Sequence, residues 1–454
     1  MATEENEPLT PNEDGSNSPA QKQPLKSHLF RYLGLLFICL ITFGSYYIYD
    51  IPGAFQTNIE ALYNIQSDKF NVLYSVYNFP NTVIVFFGGY LIDSVFGLRK
   101  GALIFCCLVM SGQILFAVSG SLKLYWLAVV GRMIFGLGGE SLSVAQSTFC
   151  ATWFNGRSDI NFAFAVTLGF SRIGSAVNFQ TTPKIAAALN TADAIWFGAI
   201  TCGVSFVACL ILIALDAIRA KKDKSVVKND PVQLADIKRF PVSLWLIFLA
   251  IVLFYVPLFV YVVNAKQFLG TKWPGCDASV LASIPYYTAA PSPIIGFIID
   301  RFGRNLTFMT VASIGMAVAH IILAYTHVTP YVGMIIMGLS YATMAASIWV
   351  TFPALVPSKR LGTAYGLAFA FQNAGVAIVT LIIGAILTKT DNNYLYSESI
   401  FVGIACVGVA IHIILIFIDL KTKAINIPAA DMKALVKRIN QEEKPLLIND
   451  NNDN

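Results

Sequence analysis

Two related stretches decide the fold of this chain: GYLIDSVFGLRK at residues 89–100 and GFIIDRFGR at residues 296–304. Each follows a long apolar run, and each combines a carboxylate, a glycine and basic residues in a short hydrophilic turn. The second stretch begins almost half a chain length after the first. A repeat at this distance indicates two similar halves, each with its own set of helices.

The composition places the chain in a membrane. Of its 454 residues, 56% are hydrophobic and 13% are charged, and the mean hydropathy is +0.64, whereas soluble domains have about 25% charged residues. The net charge of +5 is therefore attributed to membrane topology and not to affinity for nucleic acid. Residues 1–31 are polar and lack the apolar core of a cleavable signal peptide, so we expect a disordered tail there.

Twelve apolar windows are long enough to cross a bilayer, which requires about 20 residues per helix. They are 32–50, 70–92, 101–119, 124–150, 159–183, 193–217, 242–265, 278–299, 305–325, 329–354, 361–388 and 398–420. The sequence therefore predicts an all-α membrane protein. Its expected parts are an N-terminal six-helix bundle at 32–217, a basic linker at 218–241, a C-terminal six-helix bundle at 242–420 and a tail at 421–454.

Lysine and arginine predict the orientation. If both tails are cytosolic, most of the 31 basic residues lie on the cytosolic side, as the positive-inside rule requires. The basic residues on the opposite side are Lys69, Lys123, Lys184, Lys266, Lys272 and Lys389. We therefore expect both termini in the cytosol.

The repeated turn resembles the loop motif of the major facilitator superfamily, whose transporters have two parallel halves. A carboxylate at a helix end can hold basic residues or a neighbouring helix N-terminus, and breaking such contacts lets one half rock against the other. The first copy departs from the pattern, because it has one extra residue before Gly97 and Ser94 in place of a basic residue. The predicted conformational latch consists of Asp93, Arg99, Lys100, Asp300, Arg301 and Arg304.

Two opposite charges lie inside predicted spans: Glu140 near the middle of the fourth and Arg172 near the middle of the fifth. A charge at this depth costs on the order of 3 kcal/mol, so it needs an oppositely charged partner, contact with water or a functional role. In one interpretation the two neutralise each other as a buried ion pair. In the other they face a cavity and hold the two ends of a zwitterion, because Arg grips a carboxylate with two hydrogen bonds and Glu accepts from an ammonium.

Aromatic and amide side chains are candidates for the rest of a substrate site. Tyr46 and Asp50 share one face at the end of the first span, and Trp349, Gln372 and Asn373 lie in the tenth and eleventh spans. For each residue alone, packing or a position in the interfacial belt is an alternative explanation. Arg132, in a glycine-rich run, is expected to donate to backbone carbonyls or to take part in transport coupling.

Several runs carry a closer resemblance. GGESLSVAQ at 138–146, SRIGS at 171–175 and YDIPGAFQTNI at 49–59 are similar to the family of major facilitator superfamily domain-containing protein 1. The resemblance implies a lysosomal membrane protein that exports dipeptides by uniport, with Glu140 and Arg172 engaging the peptide termini. It also implies a heavily glycosylated single-span partner, like the glycosylated lysosomal membrane protein, that shields the transporter from proteases.

The C-terminal tail contains a candidate sorting signal. Glu442 precedes Leu446 and Leu447 at the spacing of a dileucine signal for adaptor complexes. The alternative is a short apolar stretch in a disordered tail, with no role in sorting.

Other functions remain open at this stage. The first span contains no glutamate, which favours uniport over the proton coupling of peptide transporters with a glutamate motif there. One alternative is an organic-anion or sugar carrier, in which Arg172 binds the anion and Glu140 balances its charge. Another is a non-transporting receptor or scaffold with a transporter fold. We find no nucleophile–base pair, cofactor loop or metal-ligand spacing, so we expect neither an enzyme nor a cofactor.

Overall fold

A computed structural model describes residues 25–154, 160–222, 237, 240–356 and 361–442. Within these ranges every regular element is a helix. The helices are α1 Leu25–Tyr49, α2 Ile51–Ala54, α3 Gln56–Tyr63, α4 Ser67–Tyr90, α5 Leu98–Leu122, α6 Tyr125–Trp153, α7 Ile160–Ala188, α8 Thr191–Lys222, α9 Val242–Lys272, α10 Ala278–Ala289, α11 Ser292–Phe302, α12 Asn305–Tyr325, α13 Pro330–Ile348, α14 Leu361–Lys389, α15 Tyr394–Thr422 and α16 Ala429–Glu442. A π-helical turn, Leu91–Phe96, extends α4, and a 3₁₀ segment, Trp349–Ala354, extends α13.

Ten described helices are long and apolar enough to cross a membrane, judged by length and composition. The second and eighth predicted spans take other forms. Helix α4 is less apolar because asparagines and tyrosines interrupt its apolar residues. The eighth span is broken between α10 and α11 at Ala290 and Pro291, since proline does not continue a helix. The prediction of an all-α membrane fold is confirmed.

The ends of the chain differ from the expectation. Helix α1 begins at Leu25, before the predicted first span, and α16 forms within the predicted C-terminal tail. The turn before α16 is fixed because both carboxylate oxygens of Asp419 accept from consecutive backbone N–H groups of residues 424–426. Helix α16 then packs against the 3₁₀ segment and α11.

The two halves of the molecule meet where α4 packs on α14 and where α7 packs on α10. We call the end of the bundle where α1 begins the near end, and the end where α1 stops the far end. At the far end, Ser67 Oγ donates to Asn392 Oδ1 at 2.7 Å, and the backbone N–H of Asp68 donates to Thr388 Oγ1 at 2.8 Å. These contacts hold the far end closed in this conformation.

Close backbone contact between α5 and α6 depends on glycine. A Cβ atom on Gly112 would lie 2.5 Å from the backbone nitrogen of Phe135 and 2.7 Å from the carbonyl oxygen of Gly131. Two helices that approach this closely have no room for a methyl group. These glycines therefore hold the fourth span, which contains Glu140, against its neighbour.

We expect Gly112→Ala to lower the thermal stability of the purified protein in detergent, because the added methyl group forces α5 and α6 apart. Overpacking of this kind costs about 1–3 kcal/mol. Gly203→Ala is the matched control, because its nearest neighbour, Met110 Cε, is 3.9 Å away. Equal melting temperatures for the two variants would show that the α5–α6 contact does not limit stability.

Candidate functional site

Arg172 of α7 reaches from the first half into the second. Its guanidinium is buried, with the residue 6% exposed. Nη1 donates to the carbonyl oxygen of Ala289 and to Ser292 Oγ, each at 2.6 Å, and the guanidinium carbon lies 4.4 Å from the centre of the Tyr341 ring. All three partners belong to the second half, so Arg172 is a contact between the halves near the middle of α7.

The break in the eighth span creates one of these partners. A helix would pair the carbonyl of Ala289 with the N–H of residue 293, but that residue is Pro293, which has none. The carbonyl is therefore free to accept from Arg172. Among the described residues, the Nε and Nη2 atoms of Arg172 have no hydrogen-bond partner. This edge of the guanidinium matches a carboxylate with two parallel hydrogen bonds.

Glu140 lies within one turn of the midpoint of α6 and is only partly buried. Its Oε1 accepts one long hydrogen bond, 3.4 Å, from the hydroxyl of Tyr77. Gly139 makes room for this contact, because a Cβ atom there would lie 2.6 Å from the tyrosine oxygen. The carboxylate therefore keeps most of its accepting capacity for another donor.

The two charges do not neutralise each other directly. Among the described residues, Glu140 and Arg172 form no ion pair with each other. Tyr46 of α1 is near enough to both charges for its phenol to interact electrostatically with each. A separated acid and base on neighbouring spans, with an aromatic group near both, suits a ligand with a charge at each end better than a permanent ion pair.

Arg132 fixes the end of α1 beside this pair. Its Nε, Nη1 and Nη2 atoms donate to the carbonyl oxygens of Leu73, Ile48 and Tyr49, each at 3.1 Å. The rings around the guanidinium, with centres 5.1–5.7 Å from its carbon, are those of Tyr49, Tyr74, Tyr77 and Phe135. The buried cation therefore holds α1 against α4, and the expected donation to backbone carbonyls is confirmed.

Asp50, directly after α1, forms a second contact between the halves. Its Oδ2 accepts from the hydroxyl of Tyr286 in α10 at 3.0 Å, and the ring of Tyr286 stacks on Phe179 of α7. The other oxygen, Oδ1, is buried and has no hydrogen-bond partner among the described residues. Asp50 thus lies nearer the far end than Tyr46 does, at a contact between the two halves.

The remaining predicted lining residues lie in the second half. Trp349 is the first residue of the 3₁₀ segment and stacks on Phe369, with ring centres 4.7 Å apart. Asn373 donates to the carbonyl of Phe369, and Gln372 has a buried Oε1 that lacks a hydrogen-bond partner within the described ranges. In the described part of the chain, none of these three side chains shares a hydrogen bond or ring contact with Glu140 or Arg172.

The first copy of the repeated turn fastens helices within one half. Arg99 Nε donates to Asp216 Oδ2 at 2.7 Å, and Asp216 Oδ1 accepts from Trp153 Nε1 and Arg219 Nε. Arg99 and Asp216 therefore join α5 to α8. The side chain of Lys100 is exposed, and only the backbone of Asp93 is described.

The second copy contacts the segment after α15. Gly303 has φ +71° and Gly97, its counterpart, has φ +73°, a region that favours glycine. Arg304 donates its backbone N–H to the carbonyl of Ile427 at 2.8 Å. Its side chain and that of Arg301 are exposed, and only the backbone of Asp300 is described.

The predicted sorting signal falls mostly outside the described residues. Glu442 is the last residue of α16, and only its backbone is described. Leu446 and Leu447 lie beyond the described ranges.

Sequence reasoning missed several residues at this site. Asp216 is an acid inside an apolar run, the same signal that identified Glu140, and could have been found. Tyr341 and Ser292 offered no signal, because an aromatic ring and a small hydroxyl are ordinary in a membrane helix. Their roles depend on the packing of α7 against the second half.

Comparison with known proteins identifies the family. The model of the Major Facilitator Superfamily matches residues 35–378 and 266–447. The chain is 39% identical over 396 residues to the lysosomal dipeptide transporter MFSD1 of Homo sapiens, with 84% of each protein covered. It is 36% identical over 418 residues to the protein of that name from Danio rerio, with 88% of this chain and 90% of the relative covered.

Solved structures show the same fold. A mutant of a peptide transporter, POT, in complex with sulfate aligns with a TM-score of 0.68, 13% identity and coverage of 87% of this chain and 95% of that chain. A mutant of the nucleoside transporter NupG aligns with a TM-score of 0.61, 14% identity and coverage of 84% and 99%. At these identities the likeness establishes the fold and not the substrate.

The family, the helical fold and the multiple apolar spans together describe a membrane transporter and not an enzyme. The matches to the relatives from Bos taurus and Danio rerio cover 92% and 88% of this chain, so they extend over both halves. This chain belongs to the Major Facilitator Superfamily and, within it, to the family of the lysosomal dipeptide transporter MFSD1.

Proposed function

We propose that this protein is a uniporter that exports dipeptides from the lysosomal lumen to the cytosol by alternating access. Arg172 binds the peptide carboxylate and Glu140 binds the ammonium. The observation that carries the proposal is the separated charge pair: a cation with a free Nε–Nη2 edge and a carboxylate with one long hydrogen bond. The names of the relatives support the substrate class and the compartment.

The size of the substrate suits neighbouring helices. An extended dipeptide is about 7 Å long at 3.3–3.6 Å per residue, and packed helices lie about 8–10 Å apart. Tyr46 and Asp50 on the first half, and Trp349, Gln372 and Asn373 on the second, are proposed to line the remainder. The buried oxygens of Asp50 and Gln372 that have no partner in the described chain support this assignment.

The position of Arg172 links binding to movement. In this conformation it is bonded to the second half through Ala289 and Ser292. A carboxylate on the same guanidinium partly neutralises its charge and weakens those bonds, which lowers the free energy needed to separate the halves. The two turns of the latch, with Asp93, Arg99, Lys100, Asp300, Arg301 and Arg304, are proposed to break and reform at the near end.

The orientation follows from the basic residues. We place the near end and both termini in the cytosol and the far end in the lumen. The closed far end then corresponds to a state that is shut toward the lumen. A glycosylated single-span accessory protein and adaptor complexes that bind the tail at Glu442, Leu446 and Leu447 remain part of the proposal, supported by the family resemblance and the tail sequence.

End-blocked peptides test the two binding roles separately. We expect a free dipeptide to raise the melting temperature of the detergent-purified protein, because a ligand at about 100 times its Kd stabilises by about 2.7 kcal/mol. Blocking either terminus, as in an N-acetyl dipeptide or a dipeptide amide, should remove most of the shift. In Arg172→Met, the free dipeptide and its amide should shift the melting temperature equally. In Glu140→Gln, the free dipeptide and its N-acetyl form should shift the melting temperature equally.

The controls separate the alternatives. Stabilisation by monocarboxylates but not by peptides would favour an organic-anion carrier. Stabilisation by sugars, but by neither monocarboxylates nor peptides, would identify a sugar carrier. A protein that binds a partner but shows no flux of any of these compounds in proteoliposomes would be a receptor or scaffold.

A further inference from the structure

Three side chains at the far end have one proton too few for their contacts. Glu60 of α3 accepts from Gln56 Nε2 at 2.8 Å, and its Oε1 lies 3.0 Å from Ser67 Oγ. The same Ser67 Oγ lies 2.7 Å from Asn392 Oδ1. A serine hydroxyl has one hydrogen, and both a carboxylate and an amide oxygen are acceptors. Ser67 can therefore donate to only one of its two neighbours at a time.

One added proton satisfies both contacts. A protonated Glu60 donates to Ser67 Oγ, and Ser67 is then free to donate to Asn392. We propose that Glu60, Ser67 and Asn392 form a proton-binding site that fastens the far ends of the two halves together. We call these three residues the far-end proton site.

The position of the site makes it a gate contact. Ser67 begins α4 of the first half, and Asn392 lies in the connection between α14 and α15 of the second. Asp391 and Asn392 have φ of +48° and +60°, a left-handed conformation that non-glycine residues seldom adopt. Contacts such as the one from Ser67 hold this connection in place. A cavity of about 380 Å³ adjoins Asn392 and Tyr394 and provides room for water beside the site.

The surroundings of Glu60 favour the neutral acid. Burial raises the pKa of its carboxyl above the ordinary value, and the hydrogen bonds from Gln56 and Ser67 partly oppose that rise. The titratable group that faces Glu60 is the phenol of Tyr394. Ionisable residues on neighbouring elements that are not among the causes of this shift include Asp68, Lys69, Asp193, Lys266, Lys272 and Asp391.

The sign of the effect follows from linkage. A carboxyl with a raised pKa in the closed state binds more protons there than in the open, solvated state. Closure therefore becomes more favourable as the pH falls from the raised pKa to the ordinary value of about 4.3, and this contribution is lost as the pH rises through the raised pKa. An acidic compartment on the far side would hold this end shut without a proton crossing the membrane.

Hydrogen exchange of the whole protein tests the proposal. The measured quantity is amide exchange in residues 51–66 and 388–395, corrected for the intrinsic effect of pH, in detergent-purified protein. We expect exchange to slow progressively as the pH falls from about 7.5 to about 4, approaching about tenfold for each unit by which the closed-state pKa exceeds the open-state one. Glu60→Gln, whose amide donates at every pH, should show slow exchange at both.

Matched variants make the test decisive. Asp193→Asn removes an exposed far-end acid that bonds to Asn190 of its own half, and it should keep the wild-type response. The proposal is overturned if Glu60→Gln keeps that response or if Asp193→Asn loses it equally. Should Glu60→Gln fail to fold, Glu60→Ala serves instead: it has no titratable group at this position, so its exchange should not respond to pH in this way, and a retained response would overturn the proposal.

A third variant checks which end of the amide faces Ser67. In Asn392→Asp an acceptor faces Ser67 however the side chain is turned, so the variant should keep the response to pH, and the added carboxylate should make it steeper. A response that appears in Asn392→Asp but is absent from the wild type would show that the amide N–H₂ group faces Ser67 in the wild type and would overturn the proposal. None of these measurements uses a peptide, so failure of the dipeptide proposal and failure of the proton site are distinguishable.

Discussion

Replacing Arg172 by methionine is expected to reduce dipeptide uptake into proteoliposomes by about a hundredfold or more. Hydrogen bonds between charged groups contribute about 1.5–3 kcal/mol each, and a carboxylate on the free Nε–Nη2 edge makes two of them. Methionine keeps an apolar stem of similar length but provides no donor. Initial rates of uptake at low substrate concentration measure the loss.

Two comparisons separate loss of binding from loss of the contact between the halves. Arg172→Lys keeps the charge but not the paired donors, so it should be impaired less than the methionine variant. A dipeptide amide has no carboxylate, so its weaker uptake should change far less on Arg172→Met than that of the free dipeptide. Equal fold-losses for the two compounds would assign Arg172 to the movement of the halves alone.

Replacing Arg132 by methionine is expected to have the largest effect on stability. The change leaves the carbonyl oxygens of Leu73, Ile48 and Tyr49 without a donor, and each unsatisfied buried group costs about 1–3 kcal/mol. It also removes the attraction between the cation and the rings around it, about 0.5–2 kcal/mol. We expect little monodisperse protein on size-exclusion chromatography and a strongly lowered melting temperature.

Arg99→Met is the matched control for this prediction. Arg99 also lies in the first half and has a clear ion pair, but its side chain is 38% exposed, so water screens and replaces that contact. Its loss should lower the melting temperature much less. Arg132→Lys keeps the charge but cannot reach three carbonyls. Its melting temperature should lie between those of Arg132→Met and Arg99→Met. A normal yield and melting temperature for Arg132→Met would show that α1 is held elsewhere.

The sequence predicted the architecture because a membrane restricts the choices. Apolar windows of about 20 residues become helices whatever their neighbours are, and ten continuous helices match those windows. The break in the eighth span was missed because prolines within apolar runs are common in membrane helices. Some polar residues of α4, such as Ser67 and Ser75, contact the second half, a position that a hydropathy window does not encode.

The candidate site was only partly accessible to sequence reasoning. A charge in an apolar run is conspicuous, so Glu140 and Arg172 stood out without a structure. Their partners did not, because Tyr341, Ser292 and Ala289 meet Arg172 only through the packing of α7 on the second half. The same limit applies to Arg99, whose acid, Asp216, is more than a hundred residues away.

The hydrogen bond from Arg172 to the carbonyl of Ala289 should tolerate substitution at position 289. Its availability comes from the backbone, because Pro293 removes the competing donor, and not from the identity of the side chain at position 289. Mutations at that alanine leave the acceptor in place. The hydrogen bond between Arg172 and the carbonyl of residue 289 therefore depends on Pro293. Related sequences that keep this proline should keep the acceptor, whatever residue occupies position 289.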